Sequence, residues 1–355
     1  MSKKKSGSSG LGQLLIPLVA LGILIVFNLF RDIGFFSVTM RVNNSGNIVL
    51  AGNLISIIDS ASELAIIAMG MTLVTAACGG QDISVGAVGA ISGAVLVKVV
   101  QGMGGITPGS MIVAFLAATL VTILFKLFNG TLVAVFRIQP MIATLILYSS
   151  GRSIAYWING SATPQLISPI TDSIGKTIPG IPIPTPVFAV LLVGLLLVLI
   201  FRFTSLRLYT QSVGINQGAA RLNGINPIAV KLISFVILGV CVSVAALIGV
   251  SRLGQLNHKT LLVDIEMDAI LAVAIGGNSL GGGKFKLAGS ILGAYIIQML
   301  TTTLYAMNVN PVNIKAYKAV VIIIIVVAGS PVIKKGLTSL WKRLRPAKAK
   351  AEGVS

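Results

Sequence analysis

The sequence predicts an all-α, polytopic membrane protein with about ten transmembrane helices, and three observations carry that reading. Of its 355 residues 55% are hydrophobic and only 10% charged, with a mean hydropathy of +0.96; soluble domains carry about 25% charged residues. Several uncharged windows reach the roughly 20 residues that a helical span requires, without the apolar/polar alternation of barrel strands. The basic residues that give a net charge of +18 sit in short clusters beside apolar runs, with no interleaved aromatics. That pattern fits membrane topology rather than nucleic-acid binding.

Apolar runs able to cross a bilayer lie at about 11–30, 48–77, 83–101, 110–128, 131–157, 186–201, 228–250, 265–281, 287–307 and 316–333. The first follows "MSKKKSGSSG" and resembles a signal peptide, but no small-residue cleavage site follows it and its length suits a span. The stretch 48–100 is too long for one helix and generous for two, which predicts a broken or re-entrant helix there. Lys3, Lys4 and Lys5 place the N-terminus in the cytoplasm, and "KKGLTSLWKRLRPAKAK", with seven basic residues, does the same for the C-terminus. Arg202, Arg207, Arg221 and Lys231, with no acidic residue among them, make 202–231 cytoplasmic as well. Arg31 and Arg41, in the first outer loop, run against this bias.

The expected organisation is therefore a cytoplasmic tail at 1–10, a membrane domain at 11–333 and a basic cytoplasmic tail at 334–355. Among the outer loops, 159–184 is the longest, and its five prolines favour a stiff surface that could receive an external partner. An ordinary connector is the alternative.

Catalytic chemistry finds no support. The single histidine, His258, lies in an expected outer loop, no metal-ligand spacing is present, and "GGGKF" lacks the Ser or Thr and the glycine placement of a phosphate-binding loop. Cys78 and Cys241 both lie in apolar runs and act as small hydrophobes. Carboxylates inside spans mark ion coupling. The candidates are Asp59, Glu63, Asp82, Asp264, Glu266 and Asp268, of which all but Asp82 fit interfacial positions.

"GGQDISVGAVGAISGA" at 79–94 and "GGNSLGGGKFKLAGSILGA" at 276–294 both run from a glycine pair through polar residues into a Gly-x-x-x-Gly step, Gly89 to Gly93 and Gly289 to Gly293. A true repeat and glycine abundance both explain the match. In the first break Gly79 and Gly80 terminate a helix, and Asp82 either meets water or caps the next helix by accepting from Ser84 or Val85. "YTQSVGINQGAARLNGINPIAVK" predicts a short helix over about 217–223, stopped by Gly224, before Pro227 opens the next span. Its small face, Gly218, Ala219 and Ala220, with Asn216 and Arg221 for polar contacts, suits docking of a second protein.

Three motifs in sequence order carry a family resemblance. "GINQGAARLNGI" resembles the coupling segment "G-x-N-x-x-A-A-R-x-x-G-I" of bacterial ABC importer permeases of the ribose/galactose/xylose type. "ACGGQDISVG" is similar to that family's "T-G-G-I-D-L-S-V-G", with Cys78, Gln81 and Ile83 in place of the usual Thr, Ile and Leu. "AILAVAIGGNSLGGGKFKLAGSILGA" matches a third family signature, and the likeness covers roughly 55–327.

The resemblance implies a permease subunit of the bacterial plasma membrane that imports a monosaccharide, pairs with a like subunit and receives solute from an extracytoplasmic binding protein. ATP and Mg then belong to separate ATPase subunits, and this chain needs no cofactor of its own. Carried over by motif, Gly214, Asn216, Ala219, Ala220, Arg221 and Gly224 form the ATPase-coupling surface. Gly79, Gly80, Asp82, Ser84, Gly86, Gly276, Gly277, Ser279 and Gly281 form path lining or hinge. Relatives of this type also carry nucleosides and other small polar solutes. The reading outside the family is an autonomous carrier that uses Asp82 or Glu63 as an ion-coupled group.

Overall fold

The computed structural model describes residues 10–42 and 47–329. The lysines at 3–5 and the basic tail at 334–355 lie outside the described residues. Each of the ten apolar runs contains a helix: α1 Gly10–Arg31, α2 Asn53–Cys78, α3 Val85–Gly102, α4 Pro108–Ala134, α5 Pro140–Ile158, α7 Thr185–Phe203, α10 Pro227–Leu253, α11 Ile265–Ile275, α12 Leu287–Ala306 and α13 Pro311–Gly329. Three short helices lie between them: α6 Pro169–Gly175, α8 Leu206–Ile215 and α9 Gln217–Leu222. Among the described residues six helices are long and apolar enough to cross a membrane: α2, α3, α4, α7, α10 and α12.

The starts of these helices follow from local chemistry. Thr107 caps α4 with a reciprocal Thr107–Ser110 box ahead of Pro108, and Asn226 caps α10 ahead of Pro227, accepting from Ile228 and Ala229. Two compact units make up the chain, Met1–Thr303 and Leu304–Ser355. In the first, α2 is the axis, packed by α10, α7, α8 and α11, while α3 is held by α4, α5 and α10. Asn28 of α1 donates to Thr303 of α12 at 2.9 Å, a buried polar tie between two apolar helices.

Three expectations need correction. The run at 48–77 does not begin as a helix: Ile48–Ala51 is a strand, β2, paired antiparallel with β1 Thr39–Val42, so the fold is mostly rather than wholly helical. Gly52, at φ 135, turns the chain from the strand into α2.

The run at 265–281 holds a helix of 11 residues, about 16 Å at 1.5 Å per residue and too short to span. Non-helical backbone at 254–264 precedes it. Arg152 of α5 satisfies that backbone, donating to the carbonyls of His258 at 2.7 Å and Leu261 at 3.0 Å. Buried carbonyls outside a helix still need partners, and the Arg152 guanidinium supplies them here.

The third correction concerns 48–100. The break expected there is a short non-helical link, 79–84, between two complete helices, and the strongly interrupted element lies in the other half of the sequence.

Candidate functional site

Both glycine-rich breaks arrive at the same place, the C-terminal end of α2. That helix stops at Gly79, whose φ of 64 and amide bond back to Thr75 make a left-handed cap. Gly80 lies on the Pro140 ring at the start of α5, where a Cβ would collide. From the second break, the Gly283 amide donates to the Ala76 carbonyl at 3.0 Å, and Leu280 accepts from the Gln81 amide at 3.0 Å. A Cβ on Gly79 would meet the Gly281 carbonyl, and one on Gly282 would meet Gly79 itself.

The third component is α8. Gly214, in its last turn, lies so close to the Ala76 carbonyl and the Gly283 amide that no side chain fits there. Two residues later Asn216 caps α9, its side chain accepting from Ala219 at 3.0 Å. The predicted short helix is present at Gln217–Leu222, and Gly224, at φ 77, turns the chain after it. Arg221, Ala219 and Gly218 are exposed, and Leu222 is 91% exposed. The small face is not uniformly outward, however. Ala220 is buried against Ala77, Val213 and Val230, so it anchors α9 to the body of the protein while its neighbours face outward.

Asp82 requires the largest correction, because neither water nor a plain helix cap accounts for it. Its side chain is fully buried and its Oδ2 accepts from Lys126 Nζ of α4 at 2.8 Å, with both side chains 0% exposed. Oδ1 accepts from the Ser84 amide at 2.7 Å and the Ser84 hydroxyl at 2.6 Å. The amide bond is the expected one, but it belongs to a turn before α3. Ser84 Oγ in turn accepts from Lys126 at 2.9 Å and from Asn129 at 2.9 Å. Burying two charges is costly unless each is paired and hydrogen-bonded, and here both are.

The second break has a neutral counterpart. Asn278 Oδ1 accepts from the Lys286 amide at 2.7 Å, while its Nδ2 donates to Ser290 Oγ at 2.9 Å and to the Lys286 carbonyl at 3.2 Å. Ser290 Oγ lies 2.6 Å from Thr72 Oγ1 of α2. Gly276 and Gly277 sit at the end of α11, with Gly277 at φ 80. Gly276, Gly289 and Gly293 bring the backbones of α11 and α12 into direct contact, whereas Gly89 and Gly93 of α3 receive the side chains of Leu262 and Leu261. Gly86 lies against the Glu266 carboxylate and the Leu262 carbonyl. Ser279 accepts from the Gly282 amide at 3.0 Å and shapes the turn between them.

At the opposite end of α2, Arg252 of α10 holds Asp59 at 2.8 Å and Glu63 at 3.2 Å. Two cavities flank this cluster. One, of about 630 Å³, lies between β1, β2 and the end of α6; the other, of about 270 Å³, is lined by Glu63, Arg252, Thr260, Asp268 and Gln298. Lys126, Arg152 and Asn278 carry much of this architecture, and sequence reasoning had singled out none of them.

Residues 53–329 match the family described as the permease component of branched-chain amino acid transport systems. The chain is 37% identical to the galactofuranose transporter permease protein YtfT of Escherichia coli K12, over 79% of this chain and 80% of the relative. It is 35% identical to the fructose import permease protein FruF of Bifidobacterium longum, over 99% and 96% of the two chains. The ribose import permease protein RbsC of E. coli K12 is 35% identical over 79% of this chain and 87% of its own length. No solved structure matches. The chain belongs to this family: it is a permease subunit of a bacterial inner-membrane ABC importer, in which ATP hydrolysis lies on separate subunits.

Proposed function

We propose that this permease imports a monosaccharide, ribose- or galactose-like, and that α9 converts ATP-driven motion into movement of the two breaks. The observation that carries the proposal is the contact of Gly214 with Ala76 and Gly283. Through it the exposed α9 segment is only two residues from a junction where α2, α8 and both breaks meet. Three relatives named for galactofuranose, fructose and ribose transport support the solute class.

In this reading the chain crosses the membrane about ten times with both termini in the cytoplasm, and it pairs with a second permease subunit. ATP and Mg are held by two ATP-binding subunits that dock on Gly218, Ala219, Arg221 and Leu222, the outward residues of α9. An extracytoplasmic binding protein releases solute toward the cavities beside Asp59, Glu63 and Arg252. Both carboxylates offered for ion coupling, Asp82 and Glu63, are engaged by cations of the chain itself.

Two measurements test this. Thermal melting of the cognate binding protein against ribose, galactose and fructose is expected to show a stabilising shift with one of them; a shift with nucleosides alone would move the solute class. Arg221→Glu reverses charge on the docking face. It is expected to abolish ATP-dependent uptake in vesicles while the protein still inserts and melts as the parent does. Full uptake by that variant would overturn the coupling role.

A further inference from the structure

Arg252 stands between the two cavities at the outer part of α2. It lines both, with Nη2 turned to Asp59 at 2.8 Å and Nη1 to Glu63 at 3.2 Å. The smaller cavity, of about 270 Å³, is bounded by α2, α10, the segment 260–263, α11 and α12. Glu63 lies near the middle of α2 and Gln298 near the middle of α12, and both helices are long and apolar enough to cross a membrane. Polar side chains at such positions are costly and mark solute paths.

Hydrogen-bonding capacity stays open around the smaller cavity. Among the described residues, the side chains of Ser60, Thr260 and Gln298, which all line it, have no hydrogen-bond partner. With Glu63 and Arg252 they offer hydroxyls and an amide that donate and accept, a carboxylate that accepts and a guanidinium that donates. That mixture complements a neutral polyol, whose hydroxyls each do both. Gly249 keeps the space open, since an added Cβ would meet Leu261 Cδ1 at 2.9 Å and come within 3.7 Å of Glu63 Oε1. The volume lies just under the roughly 300–1,000 Å³ of ligand pockets in general, a size for one small solute. Among the described residues no aromatic ring lines it, so hydrogen bonds act there without stacking, and a solute held in that way is also readily released.

We infer that the smaller cavity is a monosaccharide subsite of the import path, in which the sugar hydroxyls bond to Ser60, Glu63, Thr260 and Gln298. The inference rests on the monosaccharide reading above and deepens it. Arg252, tied to Asp59 on one side and Glu63 on the other, walls the subsite from the larger cavity, so solute arriving there passes Arg252 to enter.

The test uses the full-length chain assembled with its ATPase subunits and cognate binding protein in proteoliposomes, with uptake of labelled ribose, galactose and fructose. The parent is expected to accumulate at least one of them. For that sugar Thr260→Val and Gln298→Leu should each lower uptake about fivefold, the effect of one neutral hydrogen bond, while Thr260→Ser, which keeps the hydroxyl, stays within about twofold. A second readout reports occupancy rather than rate, and it stands even if Gln298→Leu fails to fold. T260C in a C78A/C241A background is treated with a small methanethiosulfonate reagent, and the same sugar at about ten times its Kd is expected to slow the modification about tenfold. A modification rate that sugar leaves unchanged overturns the subsite, as do parental uptake by Thr260→Val and Gln298→Leu or an equal loss in Thr260→Ser. Those outcomes leave the import reading standing, because the parent still accumulates sugar. A parent that accumulates none of the three sugars overturns that reading, and the subsite with it.

Discussion

The two glycine-rich breaks begin with the same residue pair and end on the same carbonyl-rich corner of α2, yet opposite chemistry holds them. The first is fixed by a fully buried ion pair, Asp82 with Lys126, reinforced by Ser84 and Asn129. The second is fixed by Asn278, Ser290 and Thr72 with no charge. A buried ion pair is strong only as a complete set: loss of one member strands a charge, whereas an amide network loses its bonds a few at a time. The first break is therefore built to hold one geometry, and the second to tolerate adjustment beside α8 and α9.

The largest effect that would sharpen this contrast is expected from Lys126→Met, which leaves Asp82 buried without its cation. Its thermal unfolding in detergent should show a loss of about 3–5 kcal/mol. The double variant Asp82→Asn/Lys126→Met should recover more than half of that loss; no recovery would mean that the ion pair is not what holds the break. Asn278→Ala should cost less, about 1–3 kcal/mol, because it leaves neutral groups unsatisfied. Equal losses at Lys126 and Asn278 would erase the distinction.

The smallest effect is expected at Gly281. Its φ is not in the left-handed region and an added Cβ would meet only Ser279 Oγ, at 3.8 Å. Gly281→Ala should stay within about 0.5 kcal/mol of the parent and retain uptake. A large loss there would show that the second break flexes at that residue.

Much of this was legible in the sequence. Each apolar run contains a helix because hydrocarbon requires internally satisfied backbone. The glycines that must adopt positive φ, Gly79 and Gly224, were readable as stops because few other residues tolerate that geometry. Lys126 was not readable: one lysine near the end of an apolar run looks the same whether it reaches toward water or crosses to a carboxylate 44 residues earlier. β2 was hidden for a related reason, since "IVLA" is separated from the apolar pattern of α2 by Gly52 and Asn53 alone and carries no charge. The shortness of α11 was hidden because hydropathy registers what lipid accepts and not whether the backbone is helical.

Arg152 carries a consequence for how the chain is assembled. Segment 254–264 presents carbonyls that no helix of its own satisfies, and the guanidinium that satisfies those of His258 and Leu261 belongs to α5, about a hundred residues earlier in synthesis. Standing alone, such a segment would leave those carbonyls unpaired wherever it is buried, and each costs about 1–3 kcal/mol. Its partner is already made when it emerges. The order of synthesis thus supplies the donor before the acceptors, so a helix made early serves as template for the irregular segment that follows α10.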